Sequence, residues 1–482
     1  MPNEHTHPSL QYQELVPPLT PEGVAYSWDQ ILQRAGFVSP DVPLWYADPT
    51  HAPANFRGVI VTPCAPTAFN ALLRHPPGTL PILPLEQVLP PGDQSPLADP
   101  IPLLFWGNGG GASDRRFAER RDDGAVIFYA DIIAATFFML TRWEETVVPT
   151  RDEHDRFPAT ASVAYTHKFL DRPIVDEYAL ILREWIKALL PQWKPTPTRF
   201  SVKITHDVDA IYPFSSLSSV IRTLAGDLLK RRNLKQARWT GIDAMMQAIA
   251  PERTTYYQDI FRLADLSQSY GLDSAFYFMT AEPGPFDAGY NSESPLVRRC
   301  IEDLQGQGVE IGFHAGYRTL HEPERLAEEK SRLDAVLGKT RYGGRQHYLR
   351  FQVPLTWRYW DQVGLAFDST MCYADYEGFR CGSCHPFRPF DLEYDRVLEL
   401  REQPLIAMDN TLRSYRRLSP EQAEDQILVL ARRCKQVGGT FSLLWHISRL
   451  TENMVLWQEM YKRVIKALYK IKSEARKEVL VE

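Results

Sequence analysis

The stretch FSVKITHDVDAIY, residues 200–212, decides how the second half of this chain is read. Phe200, Val202 and Ile204 alternate with smaller or polar residues, the period-two pattern of a buried strand. That strand runs directly into His206, Asp207, Val208 and Asp209. Successive side chains of an extended chain point to opposite faces, so Asp207 and Asp209 share one face, about 6 to 7 Å apart. Two carboxylates held so close repel each other unless a cation or a proton intervenes. The competing reading of DVDA is a turn or helix N-cap, whose Asp side chain accepts from backbone N–H groups. A buried strand placed immediately before the two acids favours a site.

Downstream, strand-like and helix-like segments alternate. The expected strands are FSVKIT (200–205), DSAFYFM (273–279), VEIGF (309–313), QHYLRF (346–351), LAFDS (365–369), VLEL with LIAMD (397–409) and TFSLLW (440–445). Between them lie helical patterns such as YYQDIFRLADLSQSYG, SPLVRRCIEDLQGQG, EPERLAEEKSRLDAVLG and SPEQAEDQILVLARRCKQVGG, several of them ending in the Gly expected at a C-cap. Seven strands with intervening helices predict a parallel barrel of the (β/α) kind, in an α/β fold class. Residues 210–255 form an insertion after the first strand with a helical pattern of their own, SLSSVIRTLAGDLLKRR, at the barrel end where insertions commonly form lids or substrate walls.

Upstream, LLPQWKPTPTRF (189–200) holds three prolines and suits a stiff linker, so a domain boundary is expected at residues 190–198. The expected division is an N-terminal α/β domain over 1–192 and a barrel over 199–475. Within the first region DIIAATFFMLTRWEE reads as a buried helix through Ile133, Phe137, Phe138 and Leu140. Its charged end, Arg142, Glu144 and Glu145, reads as solvated or ion-paired.

A length of 482 residues is too great for one ordinary core, and 44% hydrophobic residues suffice for packed interiors. A formal charge of −6 gives no electrostatic reason to expect a nucleic-acid partner. The opening MPNEHTHPSLQYQELVPPL lacks the basic start and apolar core of a secretory leader, and no segment reaches the roughly 20 apolar residues that span a bilayer. A cytoplasmic location is the expectation. The six cysteines form no disulfide framework, and CGSC (381–384), near Cys372 and His385, has no second CxxC, so plain thiols are preferred over a metal or redox pair. GNGGGAS (107–113) lacks the Lys-Ser/Thr of a phosphate loop and reads as a loop. The last helix, about 452–477, carries a basic face through Lys462, Arg463, Lys466 and Lys470, read as solvated in preference to lipid-binding.

In parallel barrels the chemistry sits at the C-terminal ends of the strands. Here those ends carry Asp207 and Asp209, His314, His347 with Arg350, Asp368, Asp409 and His446. Polar and acid–base residues at six of seven strand ends predict one convergent pocket. Asp and His together suit zinc, which takes three protein ligands in a catalytic site and lowers the pKa of bound water. A carboxylate beside that water and an imidazole across the pocket would supply base and acid.

These residues resemble a known family, the polysaccharide deacetylases of carbohydrate esterase family four. THDVD is similar to the Asp-x-Asp variant of the family's first motif, and the resemblance implies Asp207 as catalytic base and Asp209 as metal ligand. FHAGYRT resembles the His-Ser-x-x-His motif but keeps only His314, with Arg318 where the second histidine belongs. His347 is the leading replacement as third ligand, with His321 and His206 in reserve. Arg345 or Arg350 resembles the arginine that orients the base, and LLWHIS matches the last motif with His446 as implied general acid. The match covers residues 200–450 and implies a distorted (β/α)7 barrel. Further phrases, GLAFDST, GFRCGSCHPFRPFDL and, upstream, DRFPA, resemble a bacterial branch with an additional N-terminal domain. The implied reaction is hydrolysis of the acetamide of an N-acetylated carbohydrate with Zn2+ or another divalent metal. Tyr317, Tyr348, Trp445, Phe379 and Asp368 are the expected substrate contacts.

Three rival readings remain. A glycosyltransferase DxD would bind a metal and a nucleotide diphosphate and give His446 no role. A pseudoenzyme would bind glycan without cleaving it, in line with Arg318. A hydrolase of some other C–N amide would use the same machinery.

Overall fold

The computed structural model describes residues 19–37, 42–52, 55–92, 97–108, 116–447 and 452–479. The expected non-leader start (1–18) and most of the 107–113 loop lie outside the described residues. Eight parallel strands build the second half: β1 (Ser201–Val208), β2 (Asp273–Met279), β3 (Glu310–Ala315), β4 (Gly344–Gln346), β5 (Phe367–Asp368), β6 (Arg401–Glu402), β7 (Ala407–Met408) and β8 (Thr440–Leu444). Their order is β6-β5-β4-β3-β2-β1-β8-β7, every pairing parallel. Helices cover the outside, so the central β1 is buried on both faces from Ile204 onward.

The sheet curls into a distorted barrel in which the segment expected as one sixth strand is broken in two. Its first part, β6, pairs with β5, while its second part, β7, pairs with β8 on the far edge. Pro404 lies between them. A proline cannot donate to a ladder, and here the chain changes partners across it: Gln403 N–H bonds the Asp368 carbonyl and Ile406 N–H the Ser442 carbonyl. The seven-strand expectation therefore becomes a curled sheet of eight strands, with the two parts of the sixth expected strand at its opposite edges.

The fourth expected strand, 346–351, is displaced: of those residues only Gln346 is extended in the sheet, in a strand that begins at Gly344. β4 stops at Gln346, and residues 347–349 form a tight turn in which Tyr348 (φ +60) and Leu349 (φ +54) adopt the left-handed region. Non-glycine residues occupy that region at a cost, repaid by surrounding contacts. Before the turn, a Cβ on Gly344 would lie 1.8 Å from the Phe313 carbonyl oxygen, so the close approach of β4 to β3 requires glycine there.

The N-terminal region holds a separate sheet, Leu44–Tyr46, Val59–Val61 and Val126–Phe128 in parallel, with Ala118–Arg120 antiparallel at the edge. All nine residues of helix Ile132–Leu140 are buried, as its composition demands, and Asp131 caps it by accepting the Ala134 N–H. The charged end of that segment is not solvated. Arg142 pairs with Glu144 and Glu145, Glu145 pairs again with Arg380 from beyond β5, and all four are buried. Charges so placed are tolerated only because each is paired and hydrogen-bonded. Residues 191–200 carry no helix or strand, yet the regions on either side share packing: Tyr26 and Phe137 both lie against Phe390.

The helix Glu452–Val479 buries Met460, Val464, Ile465 and Leu468, and on its outer face Lys462 and Arg463 pair with Glu459 and Glu424, in keeping with a solvated face. Among the described residues, no helix is long and apolar enough to cross a membrane.

Candidate metal centre

The C-terminal strand ends converge on one pocket of about 320 Å³, whose lining includes Asp207, Asp209, His314, His347, Tyr348 and His446. A second cavity of about 230 Å³, in the N-terminal region under Leu72, Val148 and Ala161, is lined by no ionisable side chain.

Strand register brings the first group together. Arg345 of β4 lies beside His314 of β3, and Asp207 near the end of β1 lies two strands further on, across β2. Asp209 Oδ1 is 3.0 Å from His314 Nε2 and 3.7 Å from His347 Nε2, a set close enough to share an ion. The Asp209 Oδ1 and His314 Nε2 atoms are buried without a hydrogen-bond partner among the described residues. Both imidazoles have their other nitrogen engaged. His314 Nδ1 meets the Arg345 carbonyl at 3.0 Å, and His347 Nδ1 meets Asp287 Oδ1 at 2.7 Å. A carbonyl or carboxylate oxygen can only accept, so Nδ1 carries the proton and Nε2 turns a lone pair inward. Two ligands about 2.1 Å from a common ion stand about 3.0 to 3.4 Å apart, and the donor set of two imidazoles and a carboxylate suits zinc. These residues fit a divalent metal. With no ion bound, burial pushes the Asp209 carboxyl up, but the imidazoles of His314, His347 and His446, when protonated, outweigh it and hold the group well below the ordinary carboxylate range.

Asp207 is tied from behind. Arg345, wholly buried, donates to its Oδ1 at 2.8 Å and spends its other donors on the Ser369 carbonyl and the Thr205 and Ser369 hydroxyls. Across the pocket His446 Nδ1 contacts Asp409 Oδ1 at 2.6 Å. Burial lowers the His446 pKa, but Asp409, helped by Asp209 and Asp207, raises it to about 9.

Other expected site residues lie elsewhere. Arg350 does not reach Asp207: the turn at 347–349 breaks strand alternation, and its guanidinium lies 4.0 Å over the Tyr317 ring while Nε donates to the His154 carbonyl. Trp445 is the neighbour of His446 on an extended chain, so its ring points the opposite way and stacks on Tyr461 of the last helix at 4.3 Å. Phe379 is packed in the core between the two regions. Asp368 is buried beneath the site in a carboxyl pair with Glu402; burial and then the Asp368 charge raise the Glu402 pKa far above its ordinary value. Tyr348 does line the pocket, and Tyr317 stacks on Phe286 at 4.2 Å beside it. Of the reserve ligands, His206 is buried with Nδ1 on the Trp445 carbonyl, and His321 pairs at the surface with Asp155. Arg318 is turned outward onto Glu322.

Several residues in or behind the pocket had no assigned role in the sequence reading. Asp287 sits in a Pro- and Gly-rich loop, PGPFDAGY, without a pattern to mark it. Arg156 arrives from the N-terminal region, where its Nη1 donates to the Tyr348 carbonyl at 2.9 Å, Nη2 to the Tyr415 hydroxyl at 3.0 Å and Nε to Asp152 at 2.8 Å. The one signal for it was the phrase DRFPA. Asn410 and Arg413 line the pocket after β7.

A second group close enough to share an ion is Asp176, Cys384 and His385, around the CGSC motif. Its carboxylate is already engaged by the Ser383 hydroxyl at 2.6 Å, Arg34 Nε at 3.0 Å and the Cys384 N–H at 2.8 Å, while His385 Nε2 lies on the Val437 carbonyl. That group knits the N-terminal helices to the barrel loops. The described cysteines are free thiols.

A family of unknown function, DUF7033, matches residues 93–191. No curated protein matches the chain. Two crystal structures provisionally described as polysaccharide deacetylases are similar to it. One from Mycobacterium smegmatis is 16% identical, covering 59% of this chain and 93% of its own, with a TM-score of 0.35. One from Pseudomonas aeruginosa PAO1 is 14% identical, covering 56% and 84%, with a TM-score of 0.34. TM-scores this low leave the site to be read from the chain's own geometry.

Proposed function

We propose that this protein is a metal-dependent hydrolase that removes the acetyl group from an N-acetylated sugar or glycan precursor. The observation that supports it most is the pair of buried, unbonded ligand atoms, Asp209 Oδ1 and His314 Nε2, facing His347 between an arginine-held carboxylate and a carboxylate-held imidazole. Asp209, His314 and His347 would hold the ion, Zn2+ being the metal best suited to them. When bound, such an ion polarises an amide carbonyl and makes water acidic enough to be activated at neutral pH.

The chain's own groups then divide the proton work. Asp207, fixed through Oδ1 by Arg345, presents Oδ2 as base to the water that adds to the carbonyl carbon. His446, kept protonated by Asp409, gives its proton to the nitrogen as the C–N bond breaks, leaving acetate and a free amine. Tyr348 on the wall offers a face to a sugar ring, with Tyr317 and Phe286 beside it.

The pseudoenzyme reading loses its main support if His347 takes the place of the missing motif histidine. A nucleotide-dependent transferase would leave the His446–Asp409 pair without a task. The test is acetate release from N-acetylated oligosaccharides by the zinc-loaded protein. Asp207→Asn should lower it by about 10²- to 10⁴-fold with the metal retained, and Asp209→Ala should lose the metal itself. Full turnover by Asp207→Asn would remove that residue from the chemistry.

A further inference from the structure

The insertion after β1 carries an unusual surface. Helix Leu217–Ala225 has an apolar stripe, Leu217, Ile221 and Leu224, that continues to Leu228 at the spacing of one helix face. On an ordinary surface helix such a stripe faces the core, yet this helix has no buried residue. Leu217 is 76% exposed, Ile221 61% and Leu229 79%. The antiparallel neighbour of this segment, helix Leu234–Ile249, adds Leu234, Met245 and Ile249, exposed at 77%, 52% and 70%.

The charges on the same hairpin are one-sided. Residues 217–249, all of them described, carry Arg222, Lys230, Arg231, Arg232, Lys235 and Arg238, every one exposed. The acids there, Asp227 and Asp243, are buried: Asp227 holds Arg231 and Thr240, and Asp243 holds Thr255. A hairpin with bare leucine and isoleucine, six exposed cations and no exposed acid stands out on a chain whose net charge is −6.

We propose that this hairpin docks the protein on the surface of an anionic lipid bilayer. Apolar side chains enter the boundary between headgroups and acyl chains while flanking cations meet lipid phosphates, the arrangement by which amphipathic helices lie in an interface. Nucleic acid would use the cations but has no use for the aliphatic stripe, and a second copy of this acidic chain would offer no repeating anion plane. The hairpin leaves the same strand end that carries Asp207 and Asp209, so docking sets the pocket end of the barrel towards the membrane. The inference is independent of which reaction the pocket performs.

Co-sedimentation of the full-length protein tests it, with neutral phosphatidylcholine vesicles and vesicles about one-third phosphatidylglycerol, at low and high salt. Binding is expected to the anionic vesicles only and to weaken with salt. Lys230→Gln with Arg232→Gln should weaken it about fivefold per cation removed. Ile221→Ser with Leu229→Ser, both exposed, should weaken it at unchanged charge, with an unaltered circular dichroism spectrum and melting curve showing that the fold is kept. The proposal is overturned if no vesicle is bound at low salt, if the serine pair binds like the parent, or if the parent is a dimer that the serine pair dissolves while lipid is ignored.

Discussion

Replacing Asp287 by Asn tests whether His347 completes the metal centre. Asp287 accepts the His347 Nδ1 proton at 2.7 Å and the Tyr317 N–H at 2.9 Å, and His347 Nε2 lies 3.7 Å from Asp209 Oδ1. Burial raises the Asp287 carboxyl, but His347 and the Tyr317 N–H outweigh it and keep the group ionised, so the bond to the imidazole is charge-assisted. A bond of that kind contributes about 1.5 to 3 kcal/mol. Asn keeps one acceptor oxygen and the shape but loses the charge that makes the ligand nitrogen more basic. The expected loss is therefore about 1 to 2 kcal/mol of metal binding, or roughly 5- to 30-fold in Kd, overlapping the lower end of the roughly 10- to 100-fold typical for groups that orient a ligand histidine. Titration of the metal-free protein with zinc against a chromophoric chelator measures it directly, alongside His347→Ala, for which a larger loss is expected. If both variants bind zinc within about threefold of the parent, His347 is no ligand and the third position must be sought elsewhere.

Other outcomes follow from the same geometry. Asp409→Asn removes the group that raises His446 to about 9. The parent should lose activity as pH rises through about 9, and in the variant that limb should move towards neutrality, read from a pH profile of kcat/KM. The stability that the His446 cation gains on folding is complete below about pH 6.5 and lost as pH rises through about 9, so urea-unfolding stability of the parent should fall across that window and the fall should be absent in a His446→Gln control. Arg345→Met strands the buried Asp207 carboxylate, and a loss of about 3 to 5 kcal/mol is expected in urea unfolding. Asp207→Asn in place of that change should leave stability closer to the parent while lowering acetate release by about 10²- to 10⁴-fold.

What the sequence made legible was local. The alternation of β1 and its two terminal acids, the wholly buried helix at 132–140, and His446 just after β8 each follow from the period of a few neighbouring residues. Contacts between distant segments left weaker traces. Arg345 and Arg350 were equivalent on paper, and only the left-handed turn between them shows why one faces Asp207 and the other does not. Trp445 was misplaced by ignoring the same alternation that placed Asp207 with Asp209. The break at Pro404 splits the expected sixth strand, and its first half falls on Arg401–Glu402 and not on the apolar VLEL, because register with β5 and not composition selects the paired residues. Asp287 had no local pattern at all, since a loop acid is marked only by the imidazole it meets.

The left-handed turn at Tyr348 and Leu349 bears on how far this chain can be taken apart. Its strained backbone is clasped at the Tyr348 carbonyl by an arginine that belongs to the other half of the protein. A barrel excised at the proline-rich connection would carry every ligand residue yet lose the hand that keeps His347 aimed. Anyone hoping to transplant the barrel alone should expect to bring residues 152–156 with it.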